Sequence, residues 1–535
     1  MKKKLLVLLL MVVPMLTFAQ EKGLDQKIDA AFKPVSDFFS NLIFFTIPIA
    51  GIDVPFVLLL LVGSALFFTI YFKFPNIFHF KTAINVVRGK YDELDHASVN
   101  SELAIDGDIA DTIKDESKEG EVTHFQALAT AVSGTVGNGN IAGVALAIAL
   151  GGPGATFWMV VCGFLGMSTK FVECTLGVQY RDVGEDGTVY GGPMYYISKG
   201  LKERGFEVFG KITAIIFAIF CIGGSFGGGN AAQSNQATVV LKELMGLEST
   251  GAGFWIGVIM AIVVGVIIIG GIKRIASVTE KIVPFMAVLY LLACLYILGA
   301  NFSLIDDAFS LILREAFNPT AIGVGGVIGV LLVGFKRAAF SNEAGAGSAS
   351  IAHSAVKTKY SASEGLVALL EPFIDTVVIC TMTALVIIIF NFGGDASGAT
   401  IFQYGGDGAG AVLIDGVSYE GAGITSKAFA QYIPYSNVFL TVAVVLFAVS
   451  TMISWSYYGL QSWKFLFGRG KAADMAYKLL FLLFVIIGAS ASMNSIWAFS
   501  DAMIFAMVFP NMVGLYFLFP VVKKQLNRYI EAIKS

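Results

Sequence analysis

Residues 125–150 read FQALATAVSGTVGNGNIAGVALAIAL, and this stretch decides the fold. Such a run is long enough to cross a hydrocarbon core of ~30 Å. Yet its centre holds four glycines (Gly134, Gly137, Gly139, Gly143) and two asparagines (Asn138, Asn140). Backbone polar groups in lipid must be satisfied internally, so non-helical backbone at membrane depth survives only where it lines a cavity. The structural alternative is tight helix packing through small residues, and it suffices for Gly151 and Gly152. It does not suffice at 134–143, where two buried carboxamides beside four glycines need partners that a bound solute supplies.

Residues 321–356, AIGVGGVIGVLLVGFKRAAFSNEAGAGSASIAHSAV, repeat the pattern. The run is too long for one plain span, and Phe340-Ser341-Asn342-Glu343-Ala344-Gly345 interrupts it. Around these two breaks the sequence reads as eleven spans, near 53–72, 123–150, 153–178, 212–240, 252–272, 279–299, 319–356, 362–391, 433–458, 474–492 and 497–519. The breaks fall in spans two and seven. Five helices apart, they have opposite orientations, which is what an inverted five-plus-five repeat produces. Span one is then an extra helix before a ten-helix core. In such a repeat, half-helix N-termini face an anionic substrate group while freed carbonyls hold Na⁺. An amino-acid carboxylate meets the first requirement, and hard oxygen ligands suit an alkali cation.

Composition agrees. Of 535 residues, 56% are hydrophobic and 14% charged, with mean hydropathy +0.75, whereas soluble domains carry roughly 25% charged residues. This excludes a soluble enzyme, a disordered chain and a disulfide scaffold, and predicts an all-α polytopic membrane protein. The formal charge of −3 leaves no basic excess for nucleic acid. Five cysteines (Cys162, Cys174, Cys221, Cys294, Cys380) lie in apolar runs without CxxC spacing and read as buried helix residues. Four scattered histidines form no metal constellation, and nothing indicates an organic cofactor.

The N-terminus, three lysines followed by LLVLLLMVVPMLTF and then Ala19, has the parts of a secretory signal over 1–19. A first transmembrane helix is the weaker reading, given the short apolar core and the charged segment after it. The chain would then start outside the cytoplasm of a bacterial inner membrane, with a periplasmic amphipathic segment at 20–52, a transporter domain at 53–519 and a cytoplasmic tail at 520–535. Predicted inside segments hold 24 Lys and Arg and predicted outside segments 6, the expected bias. Residues 91–121 predict an acidic cytoplasmic loop and 392–432 a Gly-rich periplasmic loop with short β-like pieces. Both read as decoration.

Polar residues inside other spans supply the remaining candidates. Ser450, Thr451 and Ser454 share one face of the ninth span, with Trp455 one turn from Thr451. The hydroxyls either bond back to the preceding turn or, facing the carbonyls of a broken helix, form a Na⁺ cage. Trp455 packs in lipid or walls the pocket. Asn230, Gln233 and Gln236 in the fourth span must face the protein interior, and Gln233 bonds either substrate or a neighbouring helix. Lys170 and Glu173 are spaced to pair. Glu343 and Asp375 are deep carboxylates that could relay protons, although Lys336 and Arg337 are near enough in sequence to neutralise Glu343.

Five stretches also resemble the alanine-or-glycine:cation symporters: residues 125–159, GGPMYYI, FKRAAFSNEAGAGSASIAHSA, IDTVVICTMTALVI and FAVSTMISWSYYG. The similarity covers roughly 53–90 and 121–519. It implies a leucine-transporter-type fold and Na⁺-driven uptake of small neutral amino acids, chiefly alanine and glycine. On that resemblance Gly137, Asn138, Gly139 and Asn140 would hold the substrate carboxylate, with Gln233, Phe340, Thr451 and Trp455 shaping the pocket. Carbonyls of Ser133 and Val136 with hydroxyls of Ser450 and Thr451 would bind sodium. The chain departs from the family in its signal, its acidic insertion, its enlarged 392–432 loop and in Asn138, where threonine is expected. The implied function is Na⁺ symport by alternating access. The rivals are a proton-coupled carrier using Glu343 or Asp375, a Na⁺ symporter for glutamine or serine, a membrane enzyme (no HExxH or GxSxG is present) and a passive channel.

Overall fold

The computed structural model describes residues 24–49, 51–96, 120–184, 187–247, 249, 251–319, 326–393, 400–406 and 408–535. The predicted signal and most of the acidic loop, 97–119, lie outside them. The chain is an all-α polytopic membrane protein. Seven described helices are long and apolar enough to cross a membrane: Gly154–Gln179, Glu207–Met245, Gly271–Ala300, Ser361–Asn391, Ser436–Phe467, Lys471–Ser490 and Met493–Lys534. His124–Thr135 with Gly139–Gly151, bent by 50°, makes an eighth. Phe56–Tyr71 and Ala252–Ile268 are shorter apolar helices, and Gly326–Asn342 leads into the second break. A helix therefore stands at each position read as a span, eight of them qualifying by length and composition.

Helix Gly154–Gln179 is the hub, and its small residues are the reason. A Cβ on Gly163 would sit 2.8 Å from Thr376 Cβ, one on Gly166 2.8 Å from Ala344 Cβ, and one on Gly177 2.7 Å from the Ser350 carbonyl. Without Cβ atoms there, the second break, at Ala344 and Ser350, and the π-helix Phe373–Cys380, at Thr376, approach closely. Lys170, on the same helix, is fully buried and donates to Glu371 at 3.0 Å. Its partner is thus Glu371 and not the sequence neighbour Glu173, whose carboxylate accepts from Asn511 at 2.7 Å. All five cysteines are buried and free.

The amphipathic segment forms helix Leu24–Ile43. It lies on the start of Met493–Lys534, with Phe32 edge-on to Phe499 at 5.1 Å and Ser36 donating to the Ser495 carbonyl at 2.8 Å. A two-stranded hairpin, Thr46–Ile49 with Ile52–Pro55, follows. The tail at 520–535 continues Met493–Lys534 through Pro510 and Pro520.

The 392–432 loop contains the expected β pieces, Val412–Ile414 paired with Val417–Tyr419, and a helix, Ala422–Ala430. Its reading as decoration is overturned. Gly405 N–H donates to the Ala149 carbonyl at 2.7 Å and Thr425 Oγ1 to the Ile141 carbonyl at 3.1 Å, so the loop is fastened along the second half of the first broken helix. The Ala149 carbonyl lies in the last turn of the helix, where intrahelical donors run out, and the loop supplies one.

Candidate functional site

The first half of the broken helix begins with a capping box, Thr123 and Gln126 each serving the other's backbone amide. It ends at Thr135, Val136 turns to extended geometry (φ −73°, ψ 90°), and the chain resumes as a π-turn over Gly139–Gly143. Two backbone amides in the gap end on side chains. Gly137 N–H donates to Asn140 Oδ1 at 2.8 Å, and Asn138 N–H donates to Gln233 Oε1 at 2.9 Å. Asn138 returns the contact, donating through Nδ2 to the Gln233 carbonyl at 3.1 Å, while its buried Oδ1 has no hydrogen-bond partner. A Cβ on Gly137 would lie 3.0 Å from Gln233 Oε1, so glycine is needed for this approach.

Helix Ser436–Phe467 closes the other side. Thr451 Oγ1 donates to the Ser133 carbonyl at 3.0 Å, and Ser133 Oγ donates to the Ser450 carbonyl at 2.7 Å. The Ser450 hydroxyl turns back to the Phe447 carbonyl at 2.9 Å, the local bond that competes with a ligand role. Val136 is fully buried beside them.

Gln233 sits after a second π-turn, Gly227–Ala231, and steadies it by donating to the Gly228 carbonyl at 2.9 Å. Phe340 and Trp455 flank this turn. A Cβ on Gly228 would be 3.5 Å from Phe340 Cε2, and one on Gly229 would collide with the Trp455 indole. Phe340 also stacks on Trp497, centroids 5.0 Å apart.

The two breaks meet. A Cβ on Gly139 would be 3.5 Å from Ser341 Cα. Asp375 joins them, its carboxylate accepting from Asn140 Nδ2 at 2.6 Å, Ser341 Oγ at 2.9 Å and Thr376 Oγ1 at 2.7 Å. Asn140 is thereby oriented with its carbonyl toward Gly137. Sequence reasoning weighed Asp375 only as a proton relay; a lone carboxylate in an apolar run carries no sign of which helix it will face. Glu343, at φ +55°, bonds Trp455 Nε1 at 2.9 Å and Ser348 Oγ. Its expected neutralisation by Lys336 and Arg337 is corrected: Lys336 pairs with Asp501 at 3.0 Å, and Arg337 also bonds Asp501.

Chemically, this arrangement offers two exchangeable amide donors and a carbonyl–hydroxyl pair, with Phe340 and Trp455 packed beside them against the Gly227–Ala231 turn. Among the described residues no group of three or more His, Cys, Asp and Glu could hold a metal ion, and the oxygens of Ser133 and Thr451 are neutral, hard donors. That chemistry fits an alkali ion.

A family profile described as the sodium:alanine symporter family matches residues 45–535. The sodium/alanine symporter AgcS of Methanococcus maripaludis is 38% identical over 482 residues, covering 90% of this chain and 95% of that protein. The probable sodium/glutamine symporter GlnT of Bacillus subtilis is 31% identical over 415 residues, 77% of this chain and 80% of that one. The crystal structure of MhsT in complex with L-phenylalanine aligns over 75% of this chain and 99% of its own, at 14% identity and a TM-score of 0.48.

Proposed function

The chain belongs to the sodium:alanine symporter family, and from that premise we propose that it imports a small neutral amino acid, alanine or glycine, together with Na⁺ by alternating access. It is a multi-pass membrane protein and not an enzyme. The finer assignment is a bacterial inner membrane, with the N-terminus outside after signal removal and the C-terminus in the cytoplasm. The core would be an inverted five-plus-five repeat behind one extra helix.

One observation carries the reading. Gly137 and Asn138 N–H groups end on the side-chain oxygens of Asn140 and Gln233 and not on backbone carbonyls. A substrate carboxylate offers the same acceptor chemistry with a full charge, and charge-assisted hydrogen bonds are roughly twice as strong as neutral ones. It would therefore displace both side chains, freeing Gln233 to close on the substrate. Sodium would take the Ser133 carbonyl and the Thr451 hydroxyl once that hydroxyl rotates its proton away, with Val136 and Ser450 completing the shell. The cation offsets the exposed carbonyls of the unwound segment, so ion and substrate strengthen each other's binding by the same factor. Phe340 and Trp455 limit the side chain that fits.

The test is uptake of radiolabelled alanine into proteoliposomes with and without an inward Na⁺ gradient, competed by unlabelled glycine, serine and glutamine. Na⁺-dependent uptake blocked by glycine is the expected result. Uptake that follows a proton gradient without Na⁺ would sink the sodium assignment.

A further inference from the structure

A second buried polar group, unused by this mechanism, lies at the opposite end of the broken helices. His124 opens the first half of the first broken helix, and His353 ends the short helix Ala349–His353 after the second break. Both bond one carboxylate, Glu364. His124 Nδ1 takes Oε2, and His353 Nδ1 lies 2.5 Å from Oε1. The other ring nitrogen, His353 Nε2, points at Glu371 Oε2 from 3.7 Å, and neither atom has another hydrogen-bond partner. Glu371 in turn receives Lys170 at 3.0 Å. His353, Glu364, Glu371 and Lys170 are all fully buried.

Counting charge decides what this cluster holds. Glu364 and Glu371 carry two negative charges and Lys170 one positive, so one negative charge is left over. An uncompensated charge in a dry interior costs several kcal/mol, and one proton on the cluster removes that cost. His353 is the natural seat, because as an imidazolium it presents an N–H to each carboxylate. His124, on the other oxygen of Glu364, is the second imidazole that the count allows, but His353 is the one that faces both carboxylates. The remaining titratable and charged groups supply no positive charge. From helix Gly154–Gln179, Glu173 is taken by Asn511 and Cys174 is a buried thiol. From the neighbouring elements, Glu343 is held by Trp455 and Ser348, and Tyr458 reaches the Thr130 carbonyl. Arg181 spends its guanidinium on the carbonyls of Ser354, Val356 and Thr358. Ionised Glu173 or Glu343 would only raise the demand for protons.

The cluster also has the right position for a latch. It ties the first half of one broken helix to the second half of the other, beside Arg181, Lys357 and Lys359, on segments that the Lys and Arg count assigns to the inside. We infer that His353, held between Glu364 and Glu371, is a proton-binding site that locks the cytoplasmic half closed and gives its proton to cytoplasmic water when that half opens. The inference rests on the alternating-access reading above. The proton binds from and leaves to the same side, so no net proton crosses the membrane. It differs in this from a proton-coupled carrier.

Right-side-out membrane vesicles bearing the full chain test it, with an inward Na⁺ gradient, external pH fixed and internal pH set from 6 to 8. Losing the proton favours opening, so wild-type alanine uptake should rise about threefold or more with internal pH, short of the roughly tenfold per unit that one proton allows. External pH should have no matching effect. Glu364→Gln leaves Glu371 and Lys170 balanced without a proton and should flatten the profile; His353→Gln keeps the surplus negative charge but removes the group that faces both carboxylates, and should change the slope and displace the profile along pH. A flat wild-type profile, or an unchanged slope in both variants, overturns the inference. Hydrogen exchange of residues 349–372 in the purified protein, corrected for intrinsic rates, supplies a readout independent of substrate. It should rise with pH in wild type and not in Glu364→Gln, and equal exchange in both would also overturn the inference. Loss of Na⁺-driven alanine uptake with the exchange difference intact would count against the transport reading and leave the proton site standing.

Discussion

Replacing Thr451 by valine keeps the shape of the side chain and deletes one oxygen. Thr451 is 1% exposed, and its hydroxyl donates to the Ser133 carbonyl at 3.0 Å. Without a cation, Thr451→Val leaves that carbonyl unsatisfied, at a cost of about 1–3 kcal/mol. With Na⁺, it removes one ligand oxygen, and an interaction with a charged group is worth about 1.5–3 kcal/mol. The first cost raises the Na⁺-free state and offsets part of the second, so the net loss is up to about 2 kcal/mol, and at 1.4 kcal/mol per decade the Na⁺ dissociation constant rises up to roughly 30-fold. Two assays read the change. In transport, the Na⁺ concentration for half-maximal alanine uptake should climb by that factor, with Thr451→Ser close to wild type. In thermal unfolding, Na⁺ at a hundred times the wild-type dissociation constant stabilises by about 2.7 kcal/mol, and this falls to about 0.9 kcal/mol if the constant rises about 30-fold. The reasoning is refuted if Thr451→Val keeps both the wild-type Na⁺ half-saturation and the wild-type Na⁺-induced shift in melting.

Three further outcomes are expected. Gly229→Ala drives a methyl into the Trp455 indole and should abolish uptake while destabilising by about 1–3 kcal/mol; Gly63→Ala, with nothing within 4 Å of the new Cβ, should leave both uptake and melting unchanged. Asn138→Thr removes the buried Oδ1 that has no hydrogen-bond partner and that would accept from a polar substrate side chain. Competition assays should show serine and glutamine losing ground to alanine by about 5- to 150-fold, from a lost hydrogen bond of about 1–3 kcal/mol. Asp29, on the Leu24–Ile43 helix, is raised by burial but lowered more by the Ser492 hydroxyl and amide, by Ser495 and by Lys33, so its pKa stands below the ordinary value. A lowered carboxylate stabilises docking above its unfolded pKa and loses that effect as pH falls through the folded one. Burial raises Asp25, whose effect opposes this. In an Asp25→Asn background, protease cleavage within 24–43 should therefore accelerate below about pH 4, and Asp29→Asn should remove the pH dependence.

The two breaks were legible because their chemistry is local. Glycines and carboxamides cannot sit at membrane depth without partners, whatever the rest of the fold does. Candidates flanking them pair across the first break: Gly137 with Asn140, Asn138 with Gln233, and Ser133 with Thr451. Pairing between distant charges was not legible. Lys170 has Glu173 one turn away, yet its partner Glu371 is 201 positions along the chain. Lys336 and Arg337 have Glu343 near in sequence and instead bond Asp501. Sequence proximity predicts a salt bridge only on an exposed helix face, where side chains one turn apart share solvent. In a buried interface the partner is set by which helices pack, and the glycines of Gly154–Gln179 set that packing through contacts no local pattern announces. The 392–432 loop was misjudged on the same ground, since its polar, glycine-rich composition describes its solvent side and not the carbonyls of Ala149 and Ile141 that it covers.

Those long-range pairs also divide along a line that the sequence leaves unmarked. Lys336 and Arg337 lie before the second break and hold Asp501 on the Met493–Lys534 helix, whereas His353 lies after it and holds Glu364. The break at Glu343–Ser348 separates the two networks, so moving one half of the helix need not stretch the bonds of the other. In an unbroken helix of the same length a displacement at one end is carried to the other by the continuous hydrogen-bond ladder. Unwinding therefore does two things at once. It frees backbone groups that the proposed ion and substrate would take, and it would let the two ends of the protein be locked by different chemistry, a permanent ion pair at one and the inferred proton-dependent one at the other.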